Sequence, residues 1–259
     1  MTLPQTNVTE ERQVFVNSFD TLNTAQFSES KTKLEFESFI SKQLGNQENL
    51  KVLEIGCGSV SHINLGKNPY LVGIDVAAQQ LERNTSLQEK IVANIEEYQL
   101  PKSEYDVIVS WWVLEHLARP DLVLKNCQQA LKDNGVLILV SPDPRALKGL
   151  ITKFSPQWFH VFISRYVFGY SQAGVEEQGP FRTYLKESMS PQYINKFAKN
   201  NNLSVELFQM YENYWQEALR RRYWLLNAVW SVGKVVLESL SFGYINVKYT
   251  DYRFFIRKV

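Results

Sequence analysis

Apolar residues fall into blocks of two spacings. From about Lys31 to Leu44 they recur as Leu34, Phe36, Phe39, Ile40 and Leu44, the spacing of one helix face, and Gly45 supplies a stop. Five short runs follow: Lys51–Ile55, Tyr70–Ile74, Lys90–Ala93, Tyr105–Ser110 and Gly135–Ser141. Each reads as a short buried strand. Between the last two, Leu122, Val123, Asn126, Cys127, Ala130 and Leu131 predict a helix over Pro120–Lys132, closed by Asp133-Asn134-Gly135. Short apolar strands alternating with helices predict an α/β fold: a Rossmann-like, doubly wound, mostly parallel sheet covered on both faces.

The pattern changes after Ser141, where Pro142-Asp143-Pro144 breaks the chain. Residues 150–185 are dense in aromatics: Phe154, Trp158, Phe159, Phe162, Tyr166, Phe168, Tyr170, Phe181 and Tyr184. Trp158, Phe162 and Tyr166 share one helical face and Phe159 and Ile163 the adjoining one, as either core packing or a lid over a flat apolar molecule. A helix over Pro191–Asn200 follows, with Tyr193, Ile194 and Phe197 inward. Leu203–Met210 and Asp251–Lys258 read as two further strands, the C-terminal one antiparallel at the sheet edge, and a long helical stretch over about Trp215–Ser241 separates them. The expected division is a helical cap segment over 1–45, a core over 46–145, and cap segments with the C-terminal strands over 146–259. Residues 1 to about 30 are polar and weakly patterned, and no internal repeat is present.

Bulk composition narrows the function classes. The 259 residues are 44% hydrophobic and 21% charged with a formal net charge of +1, which argues against nucleic acid as the main partner. Two cysteines, Cys57 and Cys127, are too few for a disulfide framework or a zinc site, and no metal is expected. The start, Met1-Thr2-Leu3-Pro4-Gln5, has no basic stretch leading into an apolar one, so a cytoplasmic protein without secretory signal is expected.

The chemistry concentrates in Val52-Leu53-Glu54-Ile55-Gly56-Cys57-Gly58-Ser59 and Leu71-Val72-Gly73-Ile74-Asp75-Val76. A strand ends in two alternate glycines, which admit a ligand that a Cβ would exclude. The neighbouring strand ends in Asp75, 17 residues past Gly58, placed to accept from both hydroxyls of a ribose. The nicotinamide fingerprint needs a third glycine or alanine where this chain has Ser61, so that reading is disfavoured. Asn94 closes the third strand, where its amide meets an adenine edge with Ile95 against the ring, or serves as an ordinary turn residue.

With Tyr105-Asp106-Val107-Ile108-Val109-Ser110-Trp111-Trp112-Val113-Leu114-Glu115-His116-Leu117 and Ala130-Leu131-Lys132-Asp133-Asn134-Gly135-Val136-Leu137-Ile138, residues 50–145 resemble the class I S-adenosylmethionine-dependent methyltransferases. The nearest subgroup is the small-molecule type 11, which includes ubiquinone-biosynthesis enzymes. The resemblance implies S-adenosyl-L-methionine as cofactor. Gly56, Cys57 and Gly58 would border its methionine part, with Glu54 holding that turn and a water or amino group. Asp75 would bind the ribose, Val76 would pack on adenine, and Asn94 and Ile95 would receive the base. Ser110 and Trp111 would lie beside the sulfonium, and His116 would be structural. The chain departs from the family between Ser59 and Pro69, where a full helix is usual and only a short or missing one fits.

Methyl transfer from a sulfonium is a direct displacement for which the protein supplies alignment and a dry site. In-line placement of an acceptor alone accounts for about 7–11 kcal/mol of the barrier. A base is needed only for an acceptor that must lose a proton, and His160 is the candidate, with Tyr184 orienting the acceptor. The expected acceptor is a small, largely apolar or aromatic metabolite, reacting through oxygen or nitrogen ahead of carbon. The Arg220-Arg221-Arg222 cluster before an apolar helix is too interrupted to span a membrane. It fits a cap with solvated arginines, a homodimer contact or a peripheral membrane contact through 215–241. The alternatives are a methyltransferase of membrane quinones or lipids, a cofactor-binding pseudoenzyme and a nicotinamide oxidoreductase.

Overall fold

A computed structural model describes residues 28–62, 65–166, 171, 173–175, 181–242 and 244–259. The weakly patterned N-terminal stretch, Phe168 and Tyr170 lie outside them, as do the side chains of Phe154 and Ile163. In chain order the elements are α1 (Ser28–Leu44), β1 (Lys51–Ile55), β2 (Tyr70–Asp75), α2 (Ala78–Arg83), β3 (Glu89–Val92) and β4 (Tyr105–Trp111). There follow α3 (Pro120–Ala130), β5 (Leu131–Pro142), α4 (Leu147–Phe154), α5 (Gln157–Tyr166) and α6 (Pro191–Asn200). The chain closes with β6 (Leu203–Tyr211), α7 (Tyr214–Arg222), α8 (Trp224–Leu240) and β7 (Asp251–Lys258).

The seven strands form one sheet in the order β3-β2-β1-β4-β5-β7-β6. Strands β1 to β5 are mutually parallel, while β7 pairs antiparallel with both β5 and β6. The expected α/β fold with an antiparallel C-terminal strand is therefore present, and that strand is inserted beside β5 with β6 outermost. The chain reverses direction across the sheet between β1 and β4, so their carboxyl ends diverge into a crevice, the usual place for a ligand in an open α/β sheet.

Strand alternation sorts the core into two layers. Val52, Val107, Val109, Val136, Ile138, Val140 and Phe255 face α1, which contributes Phe36, Ile40 and Leu44. Leu53, Ile55, Ile108, Leu137, Leu139, Tyr252, Phe254 and Ile256 face the other way, toward Leu124 and Cys127 of α3 and Ile194 and Ala198 of α6. Phe39 meets the Phe255 ring edge-on at 5.2 Å. Buried Arg253 of β7 fastens α1 as well: its Nη1 donates to Thr32 Oγ1 at 2.9 Å and its guanidinium lies 3.9 Å over the Tyr211 ring.

Four details differ from the sequence pattern. Strand β5 begins at Leu131, because Leu131 is buried opposite Tyr105 and the register then jumps to Val107 with Val136, looping Asp133 and Asn134 outward. Helix α2 has one buried residue, Leu81, and so leaves no periodicity to detect. The predicted single helix over 215–241 is two, divided at Tyr223 by extended backbone (φ −118°, ψ 99°). The Trp158, Phe162 and Tyr166 stripe of α5 is solvent-exposed, so its core-packing reading is overturned. As expected, no helix occurs among the described residues of 56–69; Gly66 and Asn68 take positive φ there, and α1 with buried Leu65 covers the sheet instead.

Phe255 joins β7 to α1 through fully buried packing. Phe255→Ala is expected to lower unfolding free energy by about 3–5 kcal/mol in urea titration; an unchanged midpoint would remove α1 from the cooperative core.

Candidate active site

Parallel pairing of β1 with β2 sets Ile55 beside Ile74, so the turn after β1 and the end of β2 emerge together. Gly56 and Gly58 have φ of +65° and +53°, which glycine adopts without strain. A Cβ on Gly56 would stand 2.4 Å from Val113 Cγ2, so the turn is also too close to the chain after β4 for any side chain. Asp75 holds this arrangement from β2. Its Oδ2 accepts the Gly58 N–H at 2.8 Å and its Oδ1 accepts the Ala77 N–H at 2.8 Å. Each carboxylate oxygen keeps a further lone pair, so both can still receive a diol.

These residues open on a cleft of about 390 Å³ lined by Gly56, Asp75, Val76, Asn94, Ile95 and Val113, among others. Val76 exposes 64% of its surface at the rim, an apolar face for a flat base. Asn94 forms a turn, its Oδ1 accepting the Glu96 N–H at 3.0 Å and its Nδ2 donating to Glu97 Oε1 at 3.2 Å, while it also borders the cleft. Cys57 is buried beside Leu81 and Leu87. Ser110 is buried in β4 with no partner for its Oγ, and it is Trp112 and Val113, not Ser110 or Trp111, that line the cleft. Trp112 takes φ +59°, a strained value for a bulky side chain. Sequence spacing gave no signal for Trp112 and Val113, because their approach to Gly56 is made by the β1–β4 pairing.

Glu54 and Trp111 turn toward α1. The buried Glu54 carboxylate receives both the His62 N–H and His62 Nδ1 on Oε1, each at 2.8 Å, and the imidazole stacks on Trp111 with centroids 6.1 Å apart. His62 had no assigned role in the sequence, yet it is the side chain that satisfies this carboxylate. The only cue was a lone histidine in the shortened linker. His62 and Trp111 also line a separate cavity of about 330 Å³ against Ile40, Ser41 and Leu44.

The Leu114-Glu115-His116 turn straps a second segment over the cleft. The Glu115 carbonyl accepts the Tyr184 N–H at 2.8 Å, and His116 Nδ1 lies 2.9 Å from the Arg182 carbonyl. A carbonyl only accepts, so Nδ1 carries the proton and neutral His116 keeps its Nε2 lone pair. Burial pushes the His116 pKa down, partly opposed by the Arg182 bond, which favours that neutral form. Phe181 packs edge-on against the His116 ring, and Phe181, Arg182 and Tyr184 all border the cleft. Beyond them lies a cavity of about 470 Å³ lined by Lys153, Ser155, Pro156, His160, Arg182, Thr183 and Tyr184. Arg182 and Tyr184 border both spaces, and His160 Nε2 is 3.0 Å from Ser155 Oγ. The structure thus brings His160 and Tyr184 to one cavity, next to the cleft that holds Asp75.

Comparison with known proteins adds to this geometry. Residues 53–139 match a family described as a methyltransferase domain, and that stretch belongs to it. The chain is 24% identical over 184 residues to the ubiquinone biosynthesis O-methyltransferase of Pelagibacter ubique, covering 65% of this chain and 70% of that one. It is 30% identical over 103 residues to the uncharacterized protein MJ0638 of Methanocaldococcus jannaschii, covering 40% of this chain and 45% of that protein. In three dimensions it resembles a sarcosine dimethylglycine methyltransferase structure from Galdieria sulphuraria (TM-score 0.52, 13% identity, 96% and 98% of the two chains), a likeness of fold.

Sheet order, glycine turn and family match all fit an S-adenosylmethionine-dependent methyltransferase domain over residues 53–139. The residues fit the cofactor on three counts: free lone pairs on Asp75, a turn without Cβ atoms at Gly56 and Gly58, and an apolar rim at Val76 and Ile95. Among the described residues no cluster suited to a metal ion occurs.

Asp75→Ala removes the acceptor of both the turn and the diol. S-adenosylhomocysteine affinity is expected to fall at least about tenfold by isothermal titration, the loss of a charged hydrogen-bond pair; an unchanged affinity would place the nucleoside elsewhere. Burial pushes the Cys57 and Cys127 thiols up to about 12, so both stay protonated at neutral pH. Ellman's reagent is expected to modify neither in the native protein and both in denaturant; prompt native labelling would contradict the buried turn.

Proposed function

We propose that the chain transfers the methyl group to an oxygen or nitrogen of a small, largely apolar or aromatic metabolite. The observation that carries this reading is the cavity of His160 and Tyr184, which shares the lining residues Arg182 and Tyr184 with the cofactor cleft. The ubiquinone biosynthesis O-methyltransferases among its relatives support an oxygen acceptor.

When bound, S-adenosylmethionine supplies a sulfonium methyl group open to direct displacement. The chain does the rest by position. Asp75 and the glycine turn fix the nucleoside end, and the Glu115–Tyr184 and His116–Arg182 bonds hold the roof segment at the mouth of the second cavity. Phe181 and Val113 give the cleft aromatic and apolar lining beside Arg182 and Tyr184. A hydroxyl acceptor must shed its proton, and the His160 imidazole, set by Ser155, receives it. Tyr184 orients the acceptor from the shared wall, flanked by the Arg182 guanidinium 5.0 Å from its ring centroid.

The test is methyl transfer from labelled cofactor to a panel of phenols, catechols and aromatic amines. With a phenolic acceptor, His160→Ala is expected to lower kcat by about 10²–10⁴ with cofactor affinity unchanged. Tyr184→Phe is expected to act mainly on KM. Full activity in His160→Ala would end the base assignment, and turnover confined to large polar acceptors would end the substrate class.

A further inference from the structure

Helix α8 has the opposite of a core helix's exposure. Its mean hydropathy is the highest of the chain's described helices, yet none of its described residues is buried. Trp224, Leu225, Val232, Val235, Val236 and Leu240 all face solvent, with Trp224 at 75%, Val232 at 68% and Leu240 at 73% exposure. At about 100° per residue they span an arc of roughly 160°. The half-buried side is narrow, Trp230, Lys234 and Leu237, while Asn227 and Ser231 are exposed as well, Asn227 Oδ1 accepting from Arg220 Nη1 of α7 at 3.0 Å and Ser231 Oγ donating to the Asn227 carbonyl. Even at Gly233 a Cβ would meet nothing within 4 Å. Aromatics mark both ends, Tyr223 and Trp224 at the start and exposed Phe242 and Tyr244 past the finish.

Helix α5 repeats the pattern with exposed Trp158, Phe162 and Tyr166. Arg145 stacks 4.8 Å over the Tyr244 ring and Ala146 bridges to Asn246, so the segment after α8 is tied to the start of the α4–α5 arm. Charge follows the same surface. Residues 147–166 hold three basic residues and no acidic one, and 214–240 hold four basic against two acidic, in a chain of net charge +1. Two of these cations already have carboxylate partners, Arg220 with Glu212 and Arg221 with Glu217.

We propose that α8, with α5, docks the enzyme on the surface of an anionic phospholipid bilayer. No helix among the described residues is long and apolar enough to cross a membrane, so α8 lies in the interface plane. Its wide apolar arc enters the acyl boundary, Tyr223, Trp224 and Tyr244 sit at headgroup depth, and the basic excess meets the lipid phosphates. A second copy of the chain would cover one narrow seam of α8, whereas lipid wets an arc of this width and accepts aromatic ends. The proposal goes beyond methyl transfer and does not depend on the identity of the acceptor.

The full chain is sedimented with vesicles of phosphatidylcholine alone or mixed with phosphatidylglycerol, at low and high salt, and sized without lipid. Binding to the anionic vesicles is expected to exceed that to phosphatidylcholine by about fivefold or more and to weaken with salt. Val232→Glu with Val236→Glu is expected to abolish it while S-adenosylhomocysteine affinity stays unchanged. Quenching of wild-type tryptophan fluorescence by brominated lipid reads the same contact without any substitution. Absence of co-sedimentation at low salt overturns the proposal, as does equal binding to both vesicle types. A lipid-free dimer that the double substitution splits, with no vesicle binding, assigns the face to a second copy instead.

Discussion

One carboxylate organises this protein's chemistry. Asp75 sits at the end of β2 and accepts backbone N–H groups from the turn after β1 and from the residue two beyond itself. That pair of bonds fixes Gly58 and positions Gly56 so close to Val113 that only glycine fits. The cleft exists because three backbone segments converge there without side chains between them. Its polarity comes from the same group, whose spare lone pairs face the opening.

Around this centre the enzyme divides into a rigid sheet and an attached arm. The core layers close over both faces of the sheet with α1, α3 and α6. The arm, from α4 to the end of α5 and again through α7 and α8, adds little to that core. Its link to the cofactor cleft is the strap of 181–185, held by backbone bonds from the Leu-Glu-His turn. An acceptor cavity built on such a strap shares walls with the cleft, and the apolar faces left outside can meet a second phase.

The stretch after β1, which holds no helix among its described residues, has a local consequence. It carries His62, which closes the Glu54 carboxylate with two hydrogen bonds and stacks on Trp111. A buried carboxylate left without partners would be costly, and the His62 N–H and imidazole supply them here. The α1 helix then covers the sheet face that would otherwise lie open.

Much of this was legible in the chain itself. Five apolar runs marked the parallel strands, within a residue or so except at the start of β5, and β7 was read over its full length, because buried strands leave unbroken hydrophobic runs. The glycine pair and Asp75 were legible because their function requires fixed residue types at a fixed separation. What the sequence could not contain was contact between distant segments. That Val113 rather than Ser110 faces the cleft, that His62 closes Glu54, and that Arg182 and Tyr184 wall two cavities follow from strand pairing and from the strap across the site. The aromatic stripes posed the same problem in reverse: helical spacing shows which residues share a face, and only the packed structure decides whether protein or solvent lies against it.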